Sequence, residues 1–146
     1  MKVSTRGRYA LRLMIDLAQH QGEGYISLKE ISSRQDITVR YLEQIIAILL
    51  KAGFVRSFRG KAGGYRLTRS PREYTTEDIL KLTEGDLLPM SCMMAQENSC
   101  PRAANCATLP FWKGLQNVIT DYLRDVTLED LAEQQKRTGC DYGAGI

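Results

Sequence analysis

The stretch from Ser27 to Arg69, SLKEISSRQDITVRYLEQIIAILLKAGFVRSFRGKAGGYRLTR, decides the fold. Ser27-Leu28-Lys29-Glu30 has the form of a capping box, with Ser27 as N-cap and Glu30 three residues on. It opens a short helix reaching about Arg34. Gln35-Asp36 supplies the turn, Thr38 caps a second helix, and Gly53 stops that helix after Ala52. Within it, Val39, Leu42, Ile45, Ile46, Leu49 and Leu50 recur at helical spacing and form the inward face. Arg40, Glu43, Gln44, Ala47 and Lys51 fall on the other side. Helix, short turn, helix is the helix-turn-helix outline. Phe54 to Arg59 and Tyr65 to Thr68 then read as two strands joined by the basic, glycine-rich turn Arg59-Gly60-Lys61-Ala62-Gly63-Gly64. A hairpin in this position is a wing. The predicted fold is mainly α with a small β-hairpin wing: a winged helix-turn-helix domain followed by a long dimerisation helix.

Upstream, the spacing predicts a helix from about Ser4 to Gln21, ended by Gly22 and Gly24, with the lone histidine, His20, near its end. Downstream, Ser70-Pro71-Arg72 marks a boundary, and Thr75 or Thr76 caps a short helix over about 77–83, closed by Gly85. Residues 86–108 show no clear period. A long helix is expected over about 110–125, with Pro110 favourably placed near its start. Trp112, Leu115, Ile119, Tyr122 and Val126 step by three and four along it, and Leu123 widens the seam. Such a seam packs either on its own domain or on the same helix of a second chain. The small acidic remainder of the chain offers little to cover it, which favours a homodimer. Thr127 caps a last helix to about Arg137. The chain thus divides into a winged-helix unit (1–72), a linking helix and cysteine loop (73–108), a dimerisation helix with a short C-terminal helix (109–138) and a flexible tail (139–146).

Composition bounds the function. The chain has 146 residues and a formal net charge of +3, which conceals a division. Residues 1–72 carry fourteen Lys and Arg against five Asp and Glu, whereas residues 73–146 carry six against twelve. A basic half joined to an acidic half suggests that one part meets a polyanion. The longest apolar run, Ile45 to Leu50, is far short of a membrane span, and no signal-peptide core follows Met1. The reading is a cytoplasmic protein with no membrane partner and reduced thiols. No His–carboxylate cluster, nucleophile motif or phosphate loop points to an enzyme.

The exposed stripe of the second helix offers the residue types that read base edges in a major groove. Arg40 and Gln44 are the expected base contacts, with Thr38 and Tyr41 at the helix start. Glu43 accepts from cytosine N4 and repels other bases and phosphates, which makes it a discriminator. At the wing, Arg59, Lys61 and Arg66 suit phosphates or a minor groove, and Gly63 and Gly64 allow close backbone approach. The expected partner is a double-stranded DNA operator of approximately palindromic form.

Cys92, Cys100 and Cys106 lie within fifteen residues, and Cys140 stands apart near the end. Paired zinc knuckles are absent. Spacing alone leaves two readings open: a metal or cluster site, and redox or inert thiols.

Ser4-Thr5-Arg6-Gly7-Arg8-Tyr9-Ala10-Leu11, Tyr41-Leu42-Glu43-Gln44, Arg59-Gly60 with Gly63-Gly64-Tyr65, and Thr127-Leu128-Glu129-Asp130-Leu131 resemble the bacterial Rrf-two family of winged-helix regulators over about residues 1–135. The three cysteines followed by Phe111-Trp112 look most like its IscR subfamily, the regulators of iron–sulfur cluster biogenesis. The resemblance implies a repressor or activator sensing cluster status, with Cys92, Cys100 and Cys106 as ligands of a [2Fe–2S] cluster in preference to a [4Fe–4S] cluster. It implies a recognition helix over 38–52, a wing over 59–65 and a dimer helix over about 110–126. Alternatives within the family are a nitric-oxide or redox sensor with a different cluster, and a cluster-free zinc or thiol regulator of cysteine and sulfur metabolism. The chain departs from the subfamily at Leu109, where a ligating His is expected. Glu97, Asn105, Cys140 or a group from a partner's N-terminal helix are the substitutes.

Overall fold

The computed structural model describes residues 1–93 and 100–138. Six α-helices and one antiparallel hairpin follow one another among them: α1 (Thr5–Gln19), α2 (Leu28–Gln35), α3 (Val39–Lys51), β1 (Val55–Phe58), β2 (Gly64–Leu67), α4 (Thr76–Glu84), α5 (Leu109–Asp125) and α6 (Leu128–Thr138). The helix starts are set by their caps. Ser4, Ser27, Thr38 and Thr75 each accept from a backbone N–H in the first turn, and Ser27–Glu30 and Thr75–Asp78 are complete capping boxes. The described residues of the segment 86–108 contain two short 3-10 turns, Ser91–Met93 and Ala103–Asn105.

The amphipathic helix α1 is the hub. Ala10, Leu13, Met14 and Leu17 are buried in one cluster with Ile31 of α2, Leu42, Ile45 and Leu49 of α3, and Val55 and Leu67 of the hairpin. Tyr74, Ile79 of α4 and Leu128 of α6 belong to the same cluster, so the core continues across Ser70–Arg72. This packing carries α3 with its polar stripe outward.

The hairpin pairs Val55 with Leu67 through to Phe58 with Gly64. A third segment joins it, because Ile26 and Tyr65 exchange both backbone hydrogen bonds, at 2.9 and 2.8 Å. Gly64 permits this approach: its φ is +156°, and a Cβ there would strike the Ile26 backbone. A second bridge, Thr75 with Thr127, ties the start of α4 to the α5–α6 junction.

Candidate nucleic-acid interface and cysteine segment

The turn between α2 and α3 is made by Asp36, which adopts a left-handed conformation (φ 52°). Thr38 then caps α3, its hydroxyl accepting from the Tyr41 N–H at 3.3 Å. Arg40, Glu43, Gln44, Ala47 and Lys51 are all exposed, while Leu42, Ile45, Ile46 and Leu49 are buried. The polar stripe expected from spacing is therefore a free surface of the fold. Tyr41 differs from its neighbours. It is half-buried, its ring edge-on to Tyr9 at 5.4 Å, and Arg12 stacks over Tyr9.

At the wing, the Gly63 N–H donates to the Gly60 carbonyl at 3.0 Å, with Gly60 at φ 127°. This tight turn presents Arg59 and Lys61 to solvent. Arg66 lies differently: it is half-buried over the Tyr25 ring, 5.5 Å from its centroid. Tyr25 in turn packs on Phe58, which is exposed on β1. Arg69 is stacked over Tyr74 and Phe54. Arg59 and Lys61 at the wing tip face outward, whereas Arg66 and Arg69 lie over aromatic rings.

A network beneath this surface has no local signature in the sequence. Asp16 of α1 is 1% exposed and accepts two hydrogen bonds from Arg34, at 2.7 and 2.9 Å, and one from Gln35 at 3.0 Å. Arg12 donates to the Gln35 backbone carbonyl. The His20 ring lies against the Asp16 backbone carbonyl at 2.8 Å. The hydrogen bond to Asp16 raises the Arg34 pKa. The network locks α1 to the end of α2, where the turn leading into α3 begins. Asp16 falls on the apolar line of α1, and only the fold brings Arg34 to it.

The cysteines occupy the segment between α4 and α5. Cys92 lies in the first 3-10 turn, Cys106 ends the second, and Cys92, Cys100 and Cys106 are all half-buried outside any disulfide. The Thr108 hydroxyl, 3.4 Å from the Cys106 sulfur, is the main cause of a lowered Cys106 pKa, followed by the Thr108 backbone N–H. Arg102 adds to the same shift. The sulfurs are not gathered: no three His, Cys, Asp or Glu side chains converge on a metal position among the described residues. The donor set suits a thiolate-ligated group in its chemistry, three soft sulfur ligands. Asn105 is exposed nearby, and Leu109 begins α5 and offers no donor atom. Glu97 and Cys140 lie outside the described residues.

On α5 no residue is buried. Of the six seam positions, Leu115 and Tyr122 lie on an exposed stripe with Phe111 and Val118, which are 37%, 68%, 63% and 66% exposed respectively. Trp112, Ile119, Leu123 and Val126 are half-buried. The stripe thus runs along positions 111, 115, 118 and 122, a small rotation from the expected line. Phe111 and Val118 belong to this exposed stripe and lie outside the six positions read from spacing. The i, i+4, i+7 pattern contains them, but choosing between overlapping stripes needs the packing of α4.

A helix-turn-helix whose second helix presents a polar stripe, followed by a hairpin with an exposed basic tip, defines the winged-helix class of DNA-binding proteins. The Rrf2 family model, described as an iron-dependent transcriptional regulator, matches residues 3–134, and the chain belongs to that family. It is 39% identical over 132 residues to the HTH-type transcriptional regulator CymR of Bacillus subtilis (strain 168), covering 90% of each chain. The solved structure of B. subtilis CymR, described as the global cysteine regulator, aligns with a TM-score of 0.76 over 92% of this chain and 98% of that one, at 37% identity. That of IscR from T. potens aligns with a TM-score of 0.76 over 94% and 90%, at 39% identity. The winged-helix fold read from the sequence is the fold observed. These relatives are transcriptional regulators, which places this protein among them and makes DNA its partner. No helix among the described residues is long and apolar enough to cross a membrane.

Proposed function

We propose that this protein is a homodimeric, sequence-specific regulator in the cytoplasm, and that its operator affinity responds to an iron–sulfur cluster held by Cys92, Cys100 and Cys106. Its regulated genes would include those of iron–sulfur cluster biogenesis. The observation that carries the reading is the position of three half-buried thiols, none in a disulfide, between α4 and α5. The Rrf2 membership supports it.

In this reading two copies pair through the apolar stripe Phe111, Leu115, Val118 and Tyr122, extended at its edges by Trp112, Ile119, Leu123 and Val126. Each α3 enters the major groove of one half-site. Arg40 and Gln44 contact base edges, Glu43 discriminates, and Thr38 and Tyr41 position the helix start. Arg59 and Lys61 contact the backbone or minor groove, with Gly63 and Gly64 allowing the close approach. The three thiols would lose their protons to become ligands, and binding would fix the segment carrying them against α5. A [2Fe–2S] group would supply a redox-active centre that is lost or altered under iron shortage or oxidation. The fourth ligand comes from Asn105, Glu97, Cys140 or the partner chain.

Anaerobic reconstitution tests this directly. Wild-type protein is expected to take up iron with visible absorption, and Cys92→Ala is expected to lose both. Cys140→Ala decides whether that residue is a ligand. Protein without iron or visible absorption after reconstitution overturns the cluster assignment and leaves the second reading, a cluster-free thiol regulator of sulfur metabolism. That reading is favoured by the likeness to a cysteine regulator and by sulfurs that are not gathered among the described residues.

A further inference from the structure

The outer face of the wing carries charge that the fold itself does not use. Val55 and Leu67 face the core, so the next pair in the ladder, Arg56 and Arg66, faces away from it. The register sets these two arginines directly opposite each other. Like charges so placed destabilise a sheet. Neither arginine has an ion pair among the described residues to offset this. Phe58 falls on the same face, two residues beyond Arg56, and is 55% exposed. Tyr25, next to the Ile26 bridge, completes the face. Its ring centroid lies 5.3 Å from that of Phe58 and 5.5 Å from the Arg66 guanidinium.

Stacking holds Arg66 in place. The Tyr25 ring takes the flat face of the guanidinium, which leaves the donors at its edge in plane for an acceptor. Arg56 is exposed. Glu23 and Glu30 line a groove with the two rings that includes neither arginine, and the Glu30 carboxylate already accepts from the Ser27 N–H and hydroxyl at 2.8 and 2.9 Å. We infer that Arg56 and Arg66 are further phosphate contacts of the wing, on the DNA backbone flanking the part met by Arg59 and Lys61. The inference rests on the DNA-binding reading and extends it to a second face of the hairpin. Arg56 stands three residues along the chain from Arg59, about 10 Å of strand. A DNA strand presents a phosphate about every 3.4 Å of axis, so that distance spans roughly three phosphates. Tip and outer face therefore reach separate phosphates of one duplex. The DNA backbone also exposes apolar sugar between its phosphates, and this face sets Phe58 beside its two cations. An acidic peptide has matching charge, but continuity with the basic wing tip favours DNA. Without DNA the opposed charges weaken the wing, and neighbouring phosphates that each take one guanidinium relieve them.

The test is fluorescence anisotropy of the cluster-free protein on a long mixed-sequence duplex at a series of salt concentrations. Phosphate contacts carry no sequence information, so the probe need not be an operator. Arg56→Gln and Arg66→Gln are each expected to lower the slope of log affinity against log salt by roughly 0.9, and the double variant by roughly 1.8. Arg72→Gln, at an exposed arginine outside the wing, is expected to leave the slope unchanged. Arg56→Gln also removes the opposition of charges, so its thermal midpoint should hold or rise. An unchanged slope in the double variant overturns the inference and leaves the face to an acidic protein partner. An equal fall with Arg72→Gln overturns it as a general effect of net charge, and a lower midpoint for Arg56→Gln overturns it in favour of a structural role. Absence of wild-type binding would overturn the DNA-binding reading together with this inference, whereas wild-type binding with unaffected variants removes the inference alone.

Discussion

Tyr74→Phe isolates a single polar junction. The Tyr74 ring is fully buried beneath the wing, edge-on to Phe54 at 5.4 Å, and Phe retains that ring. What the substitution removes is one oxygen that joins three backbone groups on two segments. Tyr74 Oη donates to the Phe54 carbonyl at 2.7 Å and accepts from the N–H groups of Thr68 at 3.1 Å and Arg69 at 3.0 Å. Partial substitutes exist for two of these. Thr68 N–H also points at the Phe54 carbonyl at 3.3 Å, and the Thr68 hydroxyl lies 3.3 Å from the same oxygen. Arg69 N–H is left without its acceptor. Three hydrogen bonds at about 1 kcal/mol each, reduced by the two substitutes and raised by one stranded donor, give a loss of about 2–3 kcal/mol. Urea unfolding followed by far-UV circular dichroism reads this as a fall in midpoint of roughly 1 M at unchanged slope. A loss below about 0.5 kcal/mol would refute the junction as a structural tie. A changed slope would show that the wing unfolds separately from the helices.

Gly64→Ala places a Cβ on the Ile26 backbone at a positive φ, so about 2–4 kcal/mol is expected from strain and loss of the Ile26–Tyr65 bridge, read as a lower thermal midpoint and faster exchange of the Ile26 amide. Val118→Glu on the exposed face of α5 is expected to leave monomer stability within about 0.5 kcal/mol while abolishing the dimer in analytical ultracentrifugation. Lys81 and Arg124 hold the Glu77 carboxyl below the ordinary glutamate range, so its contribution is present above the unfolded value of 4.5 and is lost as pH falls through the lower folded value. The stability gap between wild type and Glu77→Gln should therefore narrow below about pH 4.5, and a constant gap from neutral to acid pH would contradict the pairing. In operator binding, Lys61→Ala should flatten the dependence of affinity on salt by roughly 0.9 for each phosphate that is no longer neutralised. Gln44→Ala should alter base preference with the salt slope unchanged.

Elements that rest on local chemistry were legible in the sequence. Ser27 with Glu30, and Thr38 before an apolar periodic run, place helix starts that the structure reproduces, and the Arg59–Gly64 turn places the wing. The outward stripe of α3 followed because its inward residues are uniformly large and apolar. Long-range pairings were not legible. The partner of Ile26 is Tyr65, thirty-nine positions away, and that of Asp16 is Arg34 on another helix. Nothing next to either residue in the chain announces its partner. The phase of the α5 stripe was only partly readable. Apolar residues stand at 111, 112, 115, 118, 119, 122 and 123, and two overlapping lines satisfy the same spacing. Packing against α4 selects between them.

The position of α5 bears on how a change in the cysteine segment would travel. Its last turns are tied to the start of α4 three times over. The Thr76 N–H donates to the Val126 carbonyl at 2.9 Å, the Thr76 hydroxyl to the Leu123 carbonyl at 2.7 Å, and Arg124 to Glu77. Its first turn begins three residues after Cys106 and exposes Phe111. The other end of the cysteine segment is equally fixed. Glu84, closing α4, accepts from the Ser4 backbone N–H at 3.1 Å and from the Ser4 hydroxyl, and Gly7 leaves room for its side chain. A rearrangement of residues 86–108 would therefore act between the fixed end of α4 and the first turn of α5, the end of that helix far from the ties at Leu123–Val126. Because α1 and α3 share one core with α4 and α6, the winged helix responds as a body. Tilting α5 in a dimer would then alter the spacing of two rigid readers rather than the shape of either one. Operator half-site spacing is set by that distance, so paired operators differing by one base pair in their central spacer should change rank order between the two thiol states. An unchanged rank order with altered affinity would place the response inside the winged helix instead.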